Sequence, residues 1–262
     1  MKTIVITGST RGIGFGLADA FLTRGCRVVV NGRSPTSVEK TVAELTRAHD
    51  AGRIQGQAGD VTSLADMERL WQTAVDRFGR VDVWINNAGV GHPLQPVWEL
   101  PPEKVKRVVE IDLLGVLYGT RVAIRGMLQQ GDGHLYNMEG FGSDGRTRAG
   151  ISVYGSTKRA LRFLTESLVK EVKGTPVKVS ALSPGIVITD FLTEQYQDDP
   201  EGFVEAKRIF NILGDRVETV TPWLADKVLT NEKSGARFAW LTPGMVLWRF
   251  ATARFNQREL FT

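Results

Sequence analysis

Cysteine and histidine are scarce in this sequence of 262 residues. The single cysteine, Cys26, excludes an internal disulfide and fits a reducing compartment. The three histidines, at positions 49, 92 and 134, lie far apart and lack the short spacings of a metal site. We therefore expect neither a disulfide framework nor a bound metal.

Long apolar runs and targeting segments are also lacking. No window reaches 18 apolar residues, so we expect no transmembrane helix. The first predicted strand starts at residue 2, so we expect no signal or transit peptide and a cytoplasmic protein. The formal net charge is only +4 and no basic cluster stands out, which argues against a nucleic-acid partner.

Short β-branched runs alternate with segments of helical periodicity along the whole chain. The predicted strands cover residues 2–6, 27–31, 54–58, 81–86, 133–138, 177–183 and 237–241. The predicted helices include residues 14–23, 63–78, 103–130 and 153–173. This alternation predicts an α/β fold with a single domain over residues 1–262, a Rossmann-like doubly wound parallel sheet of about seven strands with helices on both faces.

Two segments do not follow this alternation of predicted strands and helices. Residues 188–215 look too polar and irregular for a core element, and their length predicts a substrate lid, with a plain surface loop as the alternative. Residues 243–262 are aromatic and basic, with Trp248 beside Arg249. This C-terminal segment fits a subunit interface or core packing, and we expect a homodimer or homotetramer. The alternative is an interfacial helix that makes peripheral contact with a membrane or a lipophilic pigment.

A glycine-rich loop, "TGSTRGIG", follows the first predicted strand and opens a helix. Glycines in such a loop permit a tight turn and a close approach of the backbone to a pyrophosphate, which then faces the positive end of the helix dipole. The strand–loop–helix context makes the motif specific for a dinucleotide. The predicted cofactor-binding residues of this loop are Gly8, Ser9, Thr10, Arg11, Gly12, Ile13 and Gly14.

The end of the second predicted strand bears on the choice of cofactor. An NAD-binding domain usually has an acidic residue there for the ribose hydroxyl, but this chain has Asn31 followed by Gly32 and Arg33. An arginine attracts a 2′-phosphate, and Arg11 could supply a second positive group. We therefore predict NADPH or NADP rather than NAD. The alternative is that both arginines are solvated surface charges.

Two short motifs follow the third and fourth predicted strands. In "GDV", Asp60 is predicted to accept from the adenine amino group and Val61 to lie against the ring. In "NNAG", Asn86 is predicted to hold strand ends together through side-chain-to-backbone bonds. The cofactor-binding residues predicted from this motif are Asn87, Ala88 and Gly89, the last two because small residues leave room for the ribose.

The motif "SPGIVITD" follows the sixth predicted strand. Pro184 and Gly185 are predicted to turn the chain, and Ile186 to offer backbone groups to the nicotinamide carboxamide. Thr189 is predicted to bond the carboxamide or a phosphate.

The motif "YGSTK" places Tyr154 and Lys158 four residues apart, on one face of a helix. A hydride-transfer enzyme must protonate the carbonyl oxygen, but a free tyrosine has a pKa of about 10. A lysine one turn away favours the tyrosinate and is predicted to lower that pKa. Lys158 can also hold the nicotinamide ribose. The pair is therefore the predicted acid and its partner.

Together these motifs resemble the short-chain dehydrogenase/reductase superfamily over nearly the whole chain. Within it the chain is most similar to the chlorophyll b reductases of the non-yellow-colouring type. The similar segments are "NMEGFGSDG", "VYGSTK", "KRIFNILGDRVETV" and "SGARFAWLTP". The resemblance implies reduction of a carbonyl, such as the C7 formyl group of chlorophyll b.

The resemblance also implies a serine at the end of the fifth predicted strand, but Gly140 and Phe141 stand at the expected place. Ser143 is the first hydroxyl available, so we predict that glycines fold the chain back to present it as a catalytic group. The alternative is a loop serine that faces solvent. Asp112 replaces the asparagine of the superfamily's proton relay, where backbone kinking matters, and its charge is predicted to hold Lys158 protonated.

The sequence thus predicts an NADPH-dependent reductase of a small-molecule or pigment carbonyl. One alternative is a reductase or dehydrogenase of small or steroid-like alcohols. The other is a catalytically weak, nucleotide-binding regulatory protein, which the missing serine and Asp112 favour and which the intact pair of Tyr154 and Lys158 opposes.

Overall fold

Nine strands form the two sheets of the computed structural model, which describes residues 1–256 and 258–261. In chain order the strands are β1 Thr3–Ile6, β2 Arg27–Gly32, β3 Ile54–Ala58, β4 Val83–Asn86, β5 Gly133–Met138, β6 Val177–Ser183, β7 Ile186–Ile188, β8 Gly214–Arg216 and β9 Arg237–Ala239. The main sheet is parallel throughout, in the order β3-β2-β1-β4-β5-β6-β9. The predicted doubly wound sheet is confirmed, and its order reverses between β1 and β4, where such sheets bind ligands.

Ten α-helices connect these strands. They are α1 Gly12–Thr23, α2 Pro35–Thr46, α3 Leu64–Phe78, α4 Pro102–Val109, α5 Gly115–Gln130, α6 Ser152–Glu171, α7 Asp190–Glu194, α8 Pro200–Leu213, α9 Val217–Thr230 and α10 Pro243–Thr252. Local signals mark several boundaries: the Ser63 side chain caps the start of α3, and Gly79 ends it in the left-handed conformation.

The two faces of the main sheet carry separate cores because side chains alternate along each strand. Ile4 and Ile6 of β1 point to one face, where they join Phe21 of α1 and Leu224 of α9. Val5, between them in sequence, belongs to the cluster on the other face, which α3, α5 and α6 cover. The sheet is therefore buried on both sides, and only its strand ends are left to form a site.

The predicted helix over residues 103–130 contains one irregularity. The chain runs from α4 through a π-helical turn, Glu110–Leu114, directly into α5. A π-turn inserts an extra residue and is common at functional sites. The backbone kink expected around Asp112 is therefore present.

The plain surface loop that was the alternative for residues 188–215 is wrong, and the predicted substrate lid stays a prediction. These residues form β7, α7, α8 and β8, and β7 pairs with β8 in a small parallel sheet. Aromatic rings stabilise the segment from inside: Tyr196 lies 5.5 Å from Phe203 and 5.8 Å from Phe210, between ring centroids. The sequence looked irregular because the outer face of α8 is polar.

The C-terminal segment packs back on this region. Asp215 of β8 is buried and pairs with Arg249 at 2.8 Å and with Arg258 at 2.6 Å. Two of the basic residues that suggested a membrane-facing helix therefore point inward, while Trp248 keeps 60% of its surface exposed. Gln257 and Thr262, which also belong to the predicted segment 243–262, lie outside the described residues. Among the residues that the structure does describe, no helix combines the length and apolarity needed to span a bilayer.

Candidate active site

The glycine-rich loop lies at the carboxyl end of β1, pressed against the neighbouring loop. Gly8 has φ +61°, and a Cβ atom there would lie 2.7 Å from the Ala88 Cα. A Cβ on Gly14 would lie 2.4 Å from the carbonyl oxygen of Gly8. Both positions exclude side chains, so the backbone remains open to a ligand.

The start of α1 fits a phosphate. The helix begins at Gly12, and the preceding residue, Arg11, supplies no side-chain cap. The first amide groups of α1 therefore point out of the helix without an intrahelical acceptor. Thr189, which begins α7, lies against this turn, because a Cβ on Gly12 would be 3.3 Å from its Cγ2. The loops after β1 and β7 thus meet at the start of α1.

The end of β2 lacks an acidic residue. Asn31 is buried, and its amide group donates to the carbonyl oxygens of Gln57 and Gly59, both at 3.1 Å. Its side chain therefore holds strand ends together and is not available to a ribose. Arg33 is exposed and forms no hydrogen bond or ion pair within residues 1–256 and 258–261.

Arg11 pairs with carboxylates of α7, and its predicted contact with a 2′-phosphate stays a prediction. Its guanidinium lies 2.8 Å from a Glu194 carboxylate oxygen of α7 and 3.8 Å from Asp190. Arg11 therefore connects the glycine-rich loop to the segment predicted as a lid, and it is not held toward the Arg33 side of the site.

The motif after β3 is rigid. One carboxylate oxygen of Asp60 accepts hydrogen bonds from the Thr62 amide at 2.9 Å and the Thr62 hydroxyl at 2.8 Å. Val61 is buried, and a Cβ on Gly115, at the start of α5, would lie 2.7 Å from its Cγ2. The predicted contacts of Asp60 and Val61 with adenine stay predictions.

The side-chain-to-backbone hydrogen bonds predicted for Asn86 are formed by Asn87. The Asn86 amide donates to the Asn137 side chain at 2.9 Å, which joins β4 to β5 through side chains. The Asn87 amide instead donates to the carbonyl oxygens of Thr7 at 2.9 Å and Gly8 at 3.1 Å. The prediction for Asn86 is therefore wrong, because its side chain points into the protein and that of Asn87 toward the strand ends.

Thr7 was missed by the sequence interpretation. Its hydroxyl accepts the backbone amides of Asn87 at 3.0 Å and Ala88 at 3.1 Å. These bonds hold the "NNAG" loop against the glycine-rich loop, and a buried threonine at the end of the first strand was the only signal for them.

Tyr154 and Lys158 share one face of α6, as predicted. The Lys158 ammonium lies 5.3 Å from the centroid of the Tyr154 ring. The Tyr154 ring also packs on Phe191 of α7, with ring centroids 5.6 Å apart. The half-buried tyrosine therefore has a cation and an aromatic ring as neighbours.

Asp112 pairs directly with Lys158. Its carboxylate oxygen lies 3.0 Å from the Lys158 ammonium, and both side chains are buried. The second oxygen accepts the Val90 amide at 2.8 Å. Burial is the largest single influence and lowers the pKa of Lys158, but the charge of Asp112, the charge of Tyr154 and the hydrogen bond to Asp112 together outweigh it and leave that pKa raised. The predicted protonated lysine is thus what this geometry favours.

The pKa of Tyr154 departs from the prediction. Burial raises it, the charge of Lys158 opposes that rise, and the charge of Asp112 adds to it, so that the pKa lies above its usual value. The predicted lowering counted on Lys158 together with the positive charge of an oxidised nicotinamide. Among the groups of the protein itself, burial is the largest influence on this pKa, and it outweighs the opposing charge of Lys158.

The missing serine side chain has a steric explanation. A Cβ on Gly140 would lie 2.2 Å from the Tyr154 hydroxyl. The space that a strand-end serine would need is therefore filled by the tyrosine hydroxyl in this arrangement.

The alternative of a solvent-facing Ser143 is wrong. This serine is 2% exposed, so it does not face solvent, and it forms no hydrogen bond with the Tyr154 hydroxyl. Its hydroxyl lies 2.8 Å from the Gly140 carbonyl oxygen and 3.3 Å from a Glu139 carboxylate oxygen. The serine closes the turn after β5, and its role as a catalytic group stays a prediction.

Glu139 was not predicted as a site residue. Its buried carboxylate pairs with Arg237 of β9 at 2.8 Å, and Arg237 also donates to the Ser183 hydroxyl at 3.3 Å. The pair anchors the turn of Ser143 to the edge of the sheet. An acidic residue inside an otherwise apolar strand end was the available signal.

The "SPGIVITD" turn has the predicted geometry in part. Pro184 and Gly185 do turn the chain, and Gly185 has φ +74°. Ile186 is paired with Gly214 in the small sheet. Its contact with a carboxamide stays a prediction, as does that of Thr189.

Comparison with known proteins supports the assignment that the geometry suggests. The short chain dehydrogenase family matches residues 2–200. A probable chlorophyll(ide) b reductase, NYC1, of Oryza sativa subsp. japonica is 36% identical over 99% of this chain and 54% of its own length. D-beta-hydroxybutyrate dehydrogenase of Cupriavidus necator is 31% identical over 75% of this chain and 74% of its own. The chain thus spans about half the length of the first of these relatives.

Solved structures agree on the fold. A 3-ketoacyl-(acyl-carrier-protein) reductase from Brucella melitensis, complexed with NADH, has a TM-score of 0.79 at 25% identity, over 91% of this chain and 96% of its own. A serine dehydrogenase complexed with NADP+ has the same TM-score at 24% identity, over 92% and 94%. The glycine-rich loop, the tyrosine–lysine pair and these similarities lead to one conclusion: the chain belongs to the short-chain dehydrogenase/reductase family of oxidoreductases.

Proposed function

We propose that the protein is an NADPH-dependent reductase of a carbonyl group, with the C7 formyl group of chlorophyll b or a related tetrapyrrole as its substrate. The observation that carries the proposal is the acid Tyr154, beside the ion pair of Lys158 and Asp112 at 3.0 Å, next to the dinucleotide loop. The 36% identity to a chlorophyll(ide) b reductase supports the choice of substrate.

Three residues of the chain have separate roles in the proposed reduction. A bound nicotinamide nucleotide supplies the hydride. Tyr154 donates its phenolic proton to the carbonyl oxygen, and burial favours the protonated form before the reaction. Lys158 stabilises the tyrosinate that remains. Asp112 balances the charge of the lysine and keeps it in place.

The residues around the glycine-rich loop fit the nucleotide. Gly8, Gly14 and Gly89 leave a path along the backbone that a Cβ atom would close, since one on Gly89 would lie 3.3 Å from Asp112 and 3.4 Å from the Lys158 ammonium. Arg33 is the charge that would prefer a 2′-phosphate to a ribose hydroxyl. NADPH is therefore the proposed form of the cofactor.

The lid proposal rests on three contacts of α7. Glu194 reaches Arg11 of the nucleotide loop, Phe191 packs on Tyr154, and the Gln195 carbonyl oxygen accepts the Leu94 amide at 3.3 Å. A segment that touches both the nucleotide side and the acid can exclude water from the reaction. The aromatic ring of Phe191 suits a large conjugated substrate.

Small alcohols form the second candidate substrate class. The 31% identity to a D-beta-hydroxybutyrate dehydrogenase favours it. In that case the same Tyr154 would act as base toward an alcohol. The catalytically weak regulatory alternative is supported by the glycine at position 140 and by Asp112 in place of asparagine.

We also propose that the protein is a homodimer or homotetramer. Large apolar side chains are exposed on α4, α5 and α6: Val109 by 40%, Leu117 by 39% and Phe163 by 74%. Burying such surface stabilises an association. The exposed Trp248 of α10 is the group that peripheral membrane contact would use.

The first test measures NADPH oxidation with chlorophyll b, retinal and simple ketones, in the wild type and in Tyr154→Phe. We expect turnover of chlorophyll b, and we expect Tyr154→Phe to lower kcat by roughly 10²–10⁴-fold because the general acid is removed. The affinity for NADPH should not change. Tyr118→Phe, which removes a hydroxyl from a core-packing tyrosine of α5, is the control and should keep normal turnover. Near-normal turnover in Tyr154→Phe would contradict the assignment of the acid.

The cofactor proposal is tested by Arg33→Asp. Losing a charge-assisted phosphate contact should weaken NADPH by about tenfold to a hundredfold and leave NADH nearly unchanged. The two dissociation constants can be measured by fluorescence titration. Arg47→Asp, at the other end of α2, makes the same change of charge as a control. Equal weakening of both cofactors by Arg33→Asp would refute the preference for NADP.

Ser143→Ala tests the catalytic role predicted for the serine. If the hydroxyl donates to the substrate oxygen, kcat/KM should fall on the order of 10²-fold, with little change in Tm. Ser156→Ala, on the exposed face of α6, is the matched control. A fall in kcat/KM of less than about threefold would contradict the catalytic role, and the Ser143 hydroxyl would then serve only to close its turn.

Asp112→Asn tests the electrostatic effect of the ion pair. In alcohol oxidation Tyr154 must first lose its proton, so kcat/KM rises with pH through the pKa of this tyrosine. The charge of Asp112 raises that pKa, and its removal should move the midpoint of the profile to lower pH. Glu110→Gln removes a charge from the same turn at the surface and should leave the midpoint unchanged. A midpoint that stays or rises in Asp112→Asn would contradict this account.

A further inference from the structure

His92 is a buried histidine whose two ring nitrogens have different partners. The side chain is 4% exposed and lies in the loop after β4. Nδ1 is 2.7 Å from the Pro93 carbonyl oxygen, and Nε2 is 3.2 Å from the backbone nitrogen of Tyr154. A carbonyl can only accept and a backbone amide can only donate. The ring is therefore neutral, with its proton on Nδ1 and a lone pair on Nε2.

The Tyr154 backbone amide, which donates to His92, is one of the first amide groups of α6. Such groups have no hydrogen-bond acceptor within their own helix. Tyr154 is the third residue of α6, and the residue before the helix, Ile151, has no side chain that could cap it. A polar acceptor at this position usually comes from the N-cap residue itself. Here it comes from a distant loop, 62 positions earlier in the chain.

The loop that carries His92 is also bonded to the ion pair of Asp112 and Lys158. The Val90 amide donates to Asp112 at 2.8 Å, and Asp112 in turn contacts Lys158. Just before Val90, the Ala88 amide donates to the Thr7 hydroxyl at 3.1 Å, which belongs to the nucleotide side. Residues 88–92 thus connect the nucleotide loops to the backbone of the acid.

We propose that His92 is a positioning residue that caps the catalytic helix and fixes the Tyr154 backbone relative to the nucleotide loops. The ring acts through the Tyr154 amide and does not act on the substrate. The inference rests on the proposed function for its effect on turnover, but the capping contact itself can be measured without any substrate.

Three substitutions at position 92 distinguish the acceptor at Nε2 from the donor at Nδ1 and from the volume of the ring. In His92→Gln the amide oxygen reaches the position of Nε2 and can accept the Tyr154 amide. In His92→Asn the shorter amide reaches only the position of Nδ1, which keeps the donor to Pro93 and loses the acceptor. His92→Phe keeps the ring volume and loses both.

We expect His92→Gln to keep kcat within about threefold of the wild type, and His92→Asn and His92→Phe to lower it by roughly tenfold, the effect of losing one helix cap. The dissociation constant of NADPH should stay the same in all three variants. Loss of kcat without loss of NADPH affinity, together with rescue by glutamine, distinguishes positioning of the acid from general damage to the fold.

Amide hydrogen exchange gives a readout that does not depend on activity. In His92→Asn and His92→Phe the first turn of α6, at Tyr154 and Gly155, should exchange about tenfold faster, while His92→Gln keeps the wild-type protection. Failure of the wild type to turn over any substrate, with this exchange pattern intact, would refute the proposed function and leave the capping role standing.

Two results would overturn the inference. One is unchanged first-turn exchange and kcat in His92→Asn. The other is a fall in His92→Gln as large as in His92→Phe, since the acceptor would then not matter. If His92→Phe does not fold, the comparison of glutamine with asparagine decides the question alone.

Discussion

The ion pair between Lys158 and Asp112, at 3.0 Å and removed from water, is the interaction on which the rest of the site depends. Removing one partner of such a pair costs about 3–5 kcal/mol, because the other charge stays buried. The pair joins α6 to the π-helical turn and, through the Val90 amide, to the loop after β4. Its two charges act on the pKa of Tyr154 in opposite directions, Lys158 lowering it and Asp112 raising it, so that the rise caused by burial remains.

A second constraint explains the absent serine. The Tyr154 hydroxyl occupies the space in which a Cβ at position 140 would stand, only 2.2 Å away. The close approach of α6 to the end of β5 accounts for two features. It leaves room only for glycine at position 140, and it buries the Tyr154 hydroxyl, which raises the pKa of that tyrosine. Ser143 and Glu139 then stabilise the turn from behind, with Arg237 as the common anchor.

The segments that resemble the chlorophyll b reductases are joined in space. Glu139 of "NMEGFGSDG" pairs with Arg237 of "SGARFAWLTP" at 2.8 Å. Trp240 of that second segment donates to Asp215 of "KRIFNILGDRVETV" at 2.6 Å. Three stretches that are distant in sequence are thus joined by polar contacts that run from the turn beside Tyr154 to β8, with the carboxylates of Glu139 and Asp215 buried. Buried polar groups need such partners, which is why these stretches depend on one another.

The sequence by itself determined the main sheet, the glycine-rich loop and the placement of Tyr154 and Lys158 on one helix face. These features have local causes: β-branched runs form strands, glycines permit the tight turn, and a spacing of four places Tyr154 and Lys158 on one helix face. The strand bounds consequently agree with the structure within two residues. The same local reasoning failed for residues 188–215, where amphipathic α8 depends on aromatic partners elsewhere in the chain.

Only the tertiary structure decided which polar groups meet. Asn87 rather than Asn86 holds the strand ends, Arg11 pairs with Glu194, and Ser143 turns to the Gly140 carbonyl. The pKa of Tyr154 is raised because Asp112 and burial act together, and both are properties of the folded packing. His92 finds the Tyr154 amide 62 positions away for the same reason. Such pairings depend on distances of a few ångströms between distant segments, and no local pattern in a sequence encodes them.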